Sequence, residues 1–241
     1  MKGLFVIGTD TGVGKTVACA VLAACLRRRG VDAGYMKPVG SDGVEVNGRL
    51  VSPDALFVAR TVGLDDPWPL LNPVCLPGAL SPLAAGEAAG KFVDLSVIPP
   101  AWEALRARHE LIIVEGVGGL LVPLNRDLLF TDLMARMPLP ALVIGRPGLG
   151  TINHTLLTLE ALQRRGFQVI GFGYSSAGEE PGDSSLPTNA RHTGLFTEIP
   201  FWGRLPRVFL DGEGPGLEAL VQAGRTWDGP LDRLVRDLRA T

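Results

Sequence analysis

The sequence predicts an α/β fold, a mostly parallel sheet flanked by helices on both faces, and three observations carry that expectation. Short apolar runs recur at Leu4–Ile7, Ala33–Met36, Leu111–Val114, Ala141–Ile144 and Val169–Phe172. They lack the polar alternation of a half-exposed strand, as strands covered on both faces do. Helical patterns separate them, over 15–29, 53–62, 100–108, 150–165, 216–224 and 230–239, and strand–helix alternation of this kind builds a parallel sheet. No Ser/Pro-rich linker divides the 241 residues, so a single domain over 1–241 is expected.

Ligands of such sheets gather at the carboxyl ends of the strands, so the residues after each apolar run carry the chemistry. Gly8-Thr9-Asp10-Thr11-Gly12-Val13-Gly14-Lys15-Thr16 follows the first run and opens the first helix. Backbone N–H groups of a glycine-rich turn can surround phosphate oxygens, Lys15 can reach the outer phosphates, and the Thr16 hydroxyl can hold Mg²⁺. The helix that begins here points its positive dipole end at the same place. The chain is thereby placed among P-loop NTPase-like folds, with Gly12, Val13, Gly14, Lys15, Thr16 and Val17 as the nucleotide-binding run. Five residues separate Gly8 from Gly12-Val13-Gly14's last glycine, where the common pattern has four.

After the second run comes Lys37-Pro38-Val39-Gly40-Ser41. A residue before proline is pushed into extended geometry, which ends the strand with Lys37 at the carboxyl edge. Ser41, in a Gly/Asp-containing turn, could hydrogen-bond a polar substrate or simply serve the turn. The helix over 53–62 has Ser52 as its cap and Pro53 at its first position. Asp54 sits in its first turn, where the helix dipole alone accounts for an acid.

Glu115 ends the third run and is followed by Gly116-Val117-Gly118-Gly119. A carboxylate there is expensive if buried alone and useful beside a divalent cation. After the fourth run, Gly148 to Asn153 opens a helix whose free N–H groups suit a carboxylate, with plain capping by Thr151 an equal reading. Residues 175–189 read as a loop.

Opposed unit charges about 4 Å apart attract by roughly 4 kcal/mol at an effective dielectric near 20. A triphosphate beside a second anion calls for several cations, which Lys15, Lys37 and Mg²⁺ can supply. Other chemistries lack their residues. His109, His154 and His192 have no metal-site spacing, and neither Ser41 nor any cysteine has an identifiable base nearby, so zinc and covalent catalysis are not indicated. The net charge of −2 and a longest basic block of Arg27-Arg28-Arg29, at a helix end where it complements the dipole, disfavour nucleic acid. Cys19, Cys25 and Cys75 form no framework and fit reduced thiols in the cytoplasm. Every long apolar stretch is interrupted, so no membrane span is expected.

Taken together, Gly8–Thr16, Lys37-Pro38-Val39 with Ser41, Asp54, Glu115-Gly116-Val117-Gly118-Gly119 and Leu149-Gly150-Thr151-Ile152-Asn153-His154 resemble the dethiobiotin synthetases. These are ATP-dependent cyclo-ligases of biotin biosynthesis, and the five-residue spacer is a feature of that family. The resemblance implies that 7,8-diaminononanoate and CO₂ form a carbamate, which ATP phosphorylates before the second amine closes the ureido ring. It implies Lys37, Lys15 and Thr11 as catalytic residues and Thr16, Asp54 and Glu115 around Mg²⁺. Gly116, Val117, Gly118, Ser175, Ser176, Gly203, Leu205 and Pro206 would join the nucleotide site. Ser41 would touch the reacting groups, and Gly150, Thr151 and Asn153 would hold the substrate carboxylate from a neighbouring subunit of a homodimer. Three positions depart from the pattern: Gly12 and Leu83 stand where similar enzymes often carry Glu and His, and Ser175 where ATP-selective members tend to carry Asn. The competing reading is a ParA/MinD-like switch ATPase, whose loop needs a second lysine where this chain has Asp10.

Overall fold

The structure, a computed structural model, describes residues 2–91, 93–176, 182–208 and 216–240. Its elements run β1 (Gly3–Gly8), α1 (Lys15–Arg28), β2 (Ala33–Met36), β3 (Val39–Gly40), β4 (Val44–Val46), β5 (Arg49–Val51), α2 (Pro53–Val62), α3 (Trp68–Leu71) and β6 (Val74–Cys75). They continue through α4 (Pro82–Ala88), α5 (Ile98–Arg106), β7 (Leu111–Gly119), α6 (Phe130–Ala135), β8 (Ala141–Gly145) and α7 (Thr151–Arg164). The last are β9 (Val169–Ser175), α8 (Leu186–Gly194), β10 (Phe201–Leu205), α9 (Leu217–Ala223) and α10 (Asp228–Arg239).

Six strands form one sheet in the order β10-β9-β8-β1-β7-β2. Every pairing in it is parallel. β1 lies inside the sheet between β8 and β7 and is buried along its whole length. Its alternate residues feed separate cores, because successive strand side chains point to opposite faces. Leu4 and Val6 join α1, α2, α9 and α10 on one side. Phe5 and Ile7 join α5, α6 and α7 on the other. α1 is packed nearly all round, and its run of Ala18, Ala20, Ala23 and Ala24 lets the surrounding elements approach closely.

Several expectations change. The strand that begins at Leu111 continues past Val114 to Gly119, so Glu115 lies within β7. Its neighbour Gly8 pairs with Gly119 across a register irregularity after Val6, which lets two loops leave the sheet together. The segment expected to be a loop over 175–189 holds the end of β9 and the start of α8, which is entered through Pro187 near its first position; residues 177–181 lie outside the described residues. The helix expected over 100–108 spans Ile98–Arg106, since Pro99 and Pro100 sit in a first turn that needs no N–H donors. Arg27, Arg28 and Arg29 tie elements together as well as ending α1. Arg27 donates to the Ala33 and Val62 carbonyls, Arg28 pairs with Glu218, and Arg29 pairs with Asp228 and Asp232. Among the described residues, no helix is long and apolar enough to cross a membrane.

Candidate active site

The loop between β1 and α1 closes over the carboxyl edge of the sheet. Gly14 caps α1 in the left-handed region at φ 90°, which glycine adopts without strain. Gly8 is required by contact: a Cβ there would lie 2.6 Å from Lys15 Nζ and 2.7 Å from the Asp10 carbonyl. The Lys15 ammonium therefore folds back over the strand end, donating to the carbonyls of Asp10 at 2.9 Å and Gly118 at 2.7 Å. Burial first, and the neighbouring Lys37 charge second, lower it to about 8.

Lys37 is 3% exposed, although a strand-end lysine could have reached solvent. Its Nζ lies 2.7 Å from Asp54 Oδ2, 2.8 Å from Glu115 Oε1 and 3.0 Å from the Gly116 carbonyl. Three ammonium protons thus meet three acceptors. Burial lowers the Lys37 pKa, but the charges of Glu115 and Asp54 more than compensate and hold it above the ordinary lysine value. Burial likewise raises the Asp54 pKa, and the Lys37 charge with hydrogen bonds from Lys37 and Thr16 outweighs that, leaving it below its usual value.

Glu115 is wholly buried. The Thr16 hydroxyl lies 2.9 Å from Glu115 Oε1 and 2.9 Å from Asp54 Oδ1. A hydroxyl has one proton and donates to one of them at a time. The other close contact joins two lone-pair oxygens, an arrangement that a cation relieves. Two carboxylates and a hydroxyl are hard oxygen donors, and Mg²⁺ takes one or two carboxylates and completes its shell with water and substrate phosphates. The donor set therefore fits Mg²⁺, although the described residues hold no cluster of three or more His, Cys, Asp or Glu side chains suited to a metal.

A cavity of about 550 Å³ opens above this cluster. It is lined by Thr11, Gly12, Gly14, Lys15, Thr16, Val17, Lys37, Ser41, Asp54, Glu115, Val117 and Gly118, so most of the expected site residues converge on it. Val13 is buried in the core and Gly116 joins through its carbonyl. Leu80, Ser81 and Val122 are among its other lining residues. Ser175 and Ser176 lie outside this cavity, at the end of β9. There Ser175 pairs with Leu205 of β10, and Ser176 Oγ accepts from Arg204 at 2.9 Å. Gly203 and Pro206 belong to the same strand end.

Gly150, Thr151 and Asn153 do not line the cavity either. Gly150 caps α7 in the left-handed region, no side chain caps that helix, and Thr151 is buried with its hydroxyl 3.4 Å from Thr155 Oγ1. The capping reading of Thr151 is therefore replaced by a backbone cap. Ser52 caps α2 in extended geometry, also without a side-chain bond.

A family model described as an AAA domain matches residues 2–209. The chain is 45% identical over 198 residues to the ATP-dependent dethiobiotin synthetase BioD of Anaeromyxobacter dehalogenans strain 2CP-C, covering 82% of this chain and 86% of that protein. It is 42% identical over 168 residues to the protein of that name from Methanococcus vannielii, covering 70% and 76%. The chain belongs to the dethiobiotin synthetase family. Among solved structures, the septum site-determining protein MinD with Mg-ADP from Pyrococcus horikoshii superimposes with a TM-score of 0.60 over 98% of each chain. At 15% identity that likeness shows the P-loop fold alone.

Two buried residues of this dethiobiotin synthetase family member escape motif reasoning. Asn72 accepts from the Ser52 N–H at 2.9 Å and donates to the carbonyls of Lys37 at 2.8 Å and Val74 at 3.0 Å. It joins the end of β2 to the start of α2, the two segments that carry Lys37 and Asp54. Tyr35 donates its phenol to Glu115 Oε2 at 2.7 Å. An asparagine and a tyrosine read as core or turn residues in sequence, and only their register beside Lys37 marks them.

Proposed function

We infer that this chain is an ATP- and Mg²⁺-dependent ligase that closes the ureido ring of dethiobiotin from 7,8-diaminononanoate and CO₂. One amine takes up CO₂, forming an N–C bond and losing a proton. A carbamate oxygen then attacks the γ-phosphorus as the bond to ADP breaks. The second amine attacks the carbonyl of the mixed anhydride, and phosphate leaves. The observation that carries the reading is the convergence of Lys15 and Lys37 with Thr16, Asp54 and Glu115 beneath one cavity.

In this reading Lys15 holds the outer phosphates and Lys37 neutralises the carbamate and the transferring phosphoryl group. Thr16, Asp54 and Glu115 hold Mg²⁺, which when bound draws negative charge from the phosphate oxygens. With Asp54 and Glu115 so engaged, the Lys37 donors turn from the acids to the substrate. Thr11 and Ser41 orient the reacting groups. Ser175, Ser176, Gly203, Leu205 and Pro206 form the base end of the nucleotide site. Gly150, Thr151 and Asn153 serve a partner's site in a homodimer, and the whole chain acts as one domain in the cytoplasm.

The test combines protein, Mg²⁺, bicarbonate, the diamine and a panel of nucleotides, and follows phosphate release with ring formation. One phosphate per ring, dependent on the diamine, is expected. Hydrolysis indifferent to the diamine would instead support the switch-ATPase reading, which Asp10 disfavours.

A further inference from the structure

We propose that Tyr35 is a positioning residue for Glu115, holding one carboxylate oxygen so that the other faces Thr16 and the cation. The inference rests on the reading of Glu115 as a Mg²⁺ ligand. It begins with strand register. β2 and β7 are parallel neighbours in which Tyr35 pairs with Ile113. Side chains two apart share a face, so Tyr35 on β2, with Lys37 just past its end, looks the same way as Ile113 and Glu115 on β7. All four therefore point toward α1, into a core that holds Tyr35, Ile113 and Cys19.

Within that core the two oxygens of Glu115 are used differently. Oε1 meets Lys37 at 2.8 Å and Thr16 at 2.9 Å. Oε2 meets the Tyr35 hydroxyl at 2.7 Å. Both Tyr35 and Glu115 have no exposed surface, so water cannot take the place of the phenol. A carboxylate oxygen without a donor in such surroundings would swing the whole group toward the remaining donors. A phenol has a proton to give and a carboxylate oxygen only lone pairs, so at this contact Tyr35 is the donor. The contact has the form of the outer-shell hydrogen bonds that orient metal-binding carboxylates, whose loss weakens metal affinity by about 10- to 100-fold.

The experiment measures Mn²⁺ affinity by electron paramagnetic resonance in the presence of ADP, and ADP affinity without metal, for wild type, Tyr35→Phe, Glu115→Gln and the double variant. Tyr35→Phe should bind Mn²⁺ about tenfold more weakly and metal-free ADP unchanged, and it should add little once Glu115→Gln is present. Glu115→Gln with wild-type Mn²⁺ affinity would remove the metal reading and this inference with it. Weakened Mn²⁺ binding in Glu115→Gln but not in Tyr35→Phe would leave the metal reading intact and overturn the role of Tyr35. Should Tyr35→Phe fail to fold, the wild-type chain decides, since it has only two tyrosines. Fluorotyrosine NMR then gives two resonances, assigned through Tyr174→Phe, and Mg²⁺ added to the ADP complex must shift that of Tyr35. An unmoved resonance would overturn the inference.

Discussion

Lys37 shows how far one residue's surroundings bend its chemistry. Its ammonium is buried between two carboxylates, and their charges hold its pKa above the ordinary lysine value against the lowering effect of burial. A cation so placed contributes most where negative charge moves, so Lys37→Ala should lower turnover by orders of magnitude while nucleotide affinity stays largely intact. Comparable losses in turnover and in nucleotide binding, measured by steady-state kinetics and calorimetry, would contradict the assignment. Gly8→Ala tests the neighbouring cradle. The added methyl meets Lys15 Nζ and a backbone carbonyl, so nucleotide affinity should fall at least tenfold while circular dichroism remains that of the folded chain.

Cys75 offers a pH test of burial. Its thiol is pushed up to about 11, by burial first, against the opposing charge of Arg49. Only the thiolate attacks, so about one thiol in a thousand is reactive at pH 8, and the rate of labelling should climb about tenfold per pH unit up to pH 10. A rate that reaches half its plateau near pH 9 would show an unshifted thiol. At this scale the sequence was informative where chemistry is local. Lys15 and Thr16 announce themselves by spacing, and Lys37 by its proline. Tyr35 and Asn72 carry no such mark, because their roles exist only across strands.

Elements obey the same division. Strands buried on both faces were legible as apolar runs, and α2 begins and ends where Pro53 and Gly63 require. The sixth strand, β10, was not, because Phe201-Trp202-Gly203-Arg204-Leu205 is an edge strand that mixes an exposed aromatic, a glycine and an arginine. The hairpin of β4 and β5 has its signal in the Asn47-Gly48 pair: both residues have positive φ, at 51° and 78°, as a two-residue turn of this twist demands. Asn72 is the tie between such elements. Replacing it with alanine strands the Ser52 N–H and two carbonyls, so Asn72→Ala should destabilise the chain by about 3 kcal/mol in urea unfolding. A change under about 1 kcal/mol would mean that water or local movement replaces those bonds.

At the scale of the molecule, the parallel sheet explains why residues as distant in sequence as 15, 37, 54 and 115 meet. β7 lies between β1 and β2, and Lys15 and Lys37, which follow those two strands, reach the same edge as Glu115 within β7. Alternation of strands and helices was enough to predict that edge, whereas strand order and the reach of side chains across it are tertiary properties. The proposed homodimer also belongs to this scale. Leu149 is 78% exposed and Leu157 55%, and both flank the exposed Asn153 one turn of α7 before Leu157. Leu157→Glu should yield a monomer by analytical ultracentrifugation and lose turnover while still binding nucleotide. A fully active monomer would show that residues 150–153 serve no partner.

The transfer of a phosphoryl group to a carbamate above Lys15 and Lys37 is tested most directly by oxygen tracing. With ¹⁸O-labelled bicarbonate, the carbamate oxygen that attacks the γ-phosphorus leaves with the phosphate. Released phosphate from the wild-type reaction should therefore carry one ¹⁸O per ring closed. Phosphate free of the label, released at the same rate as the ring forms, would contradict the phosphorylated carbamate and the role assigned to this site.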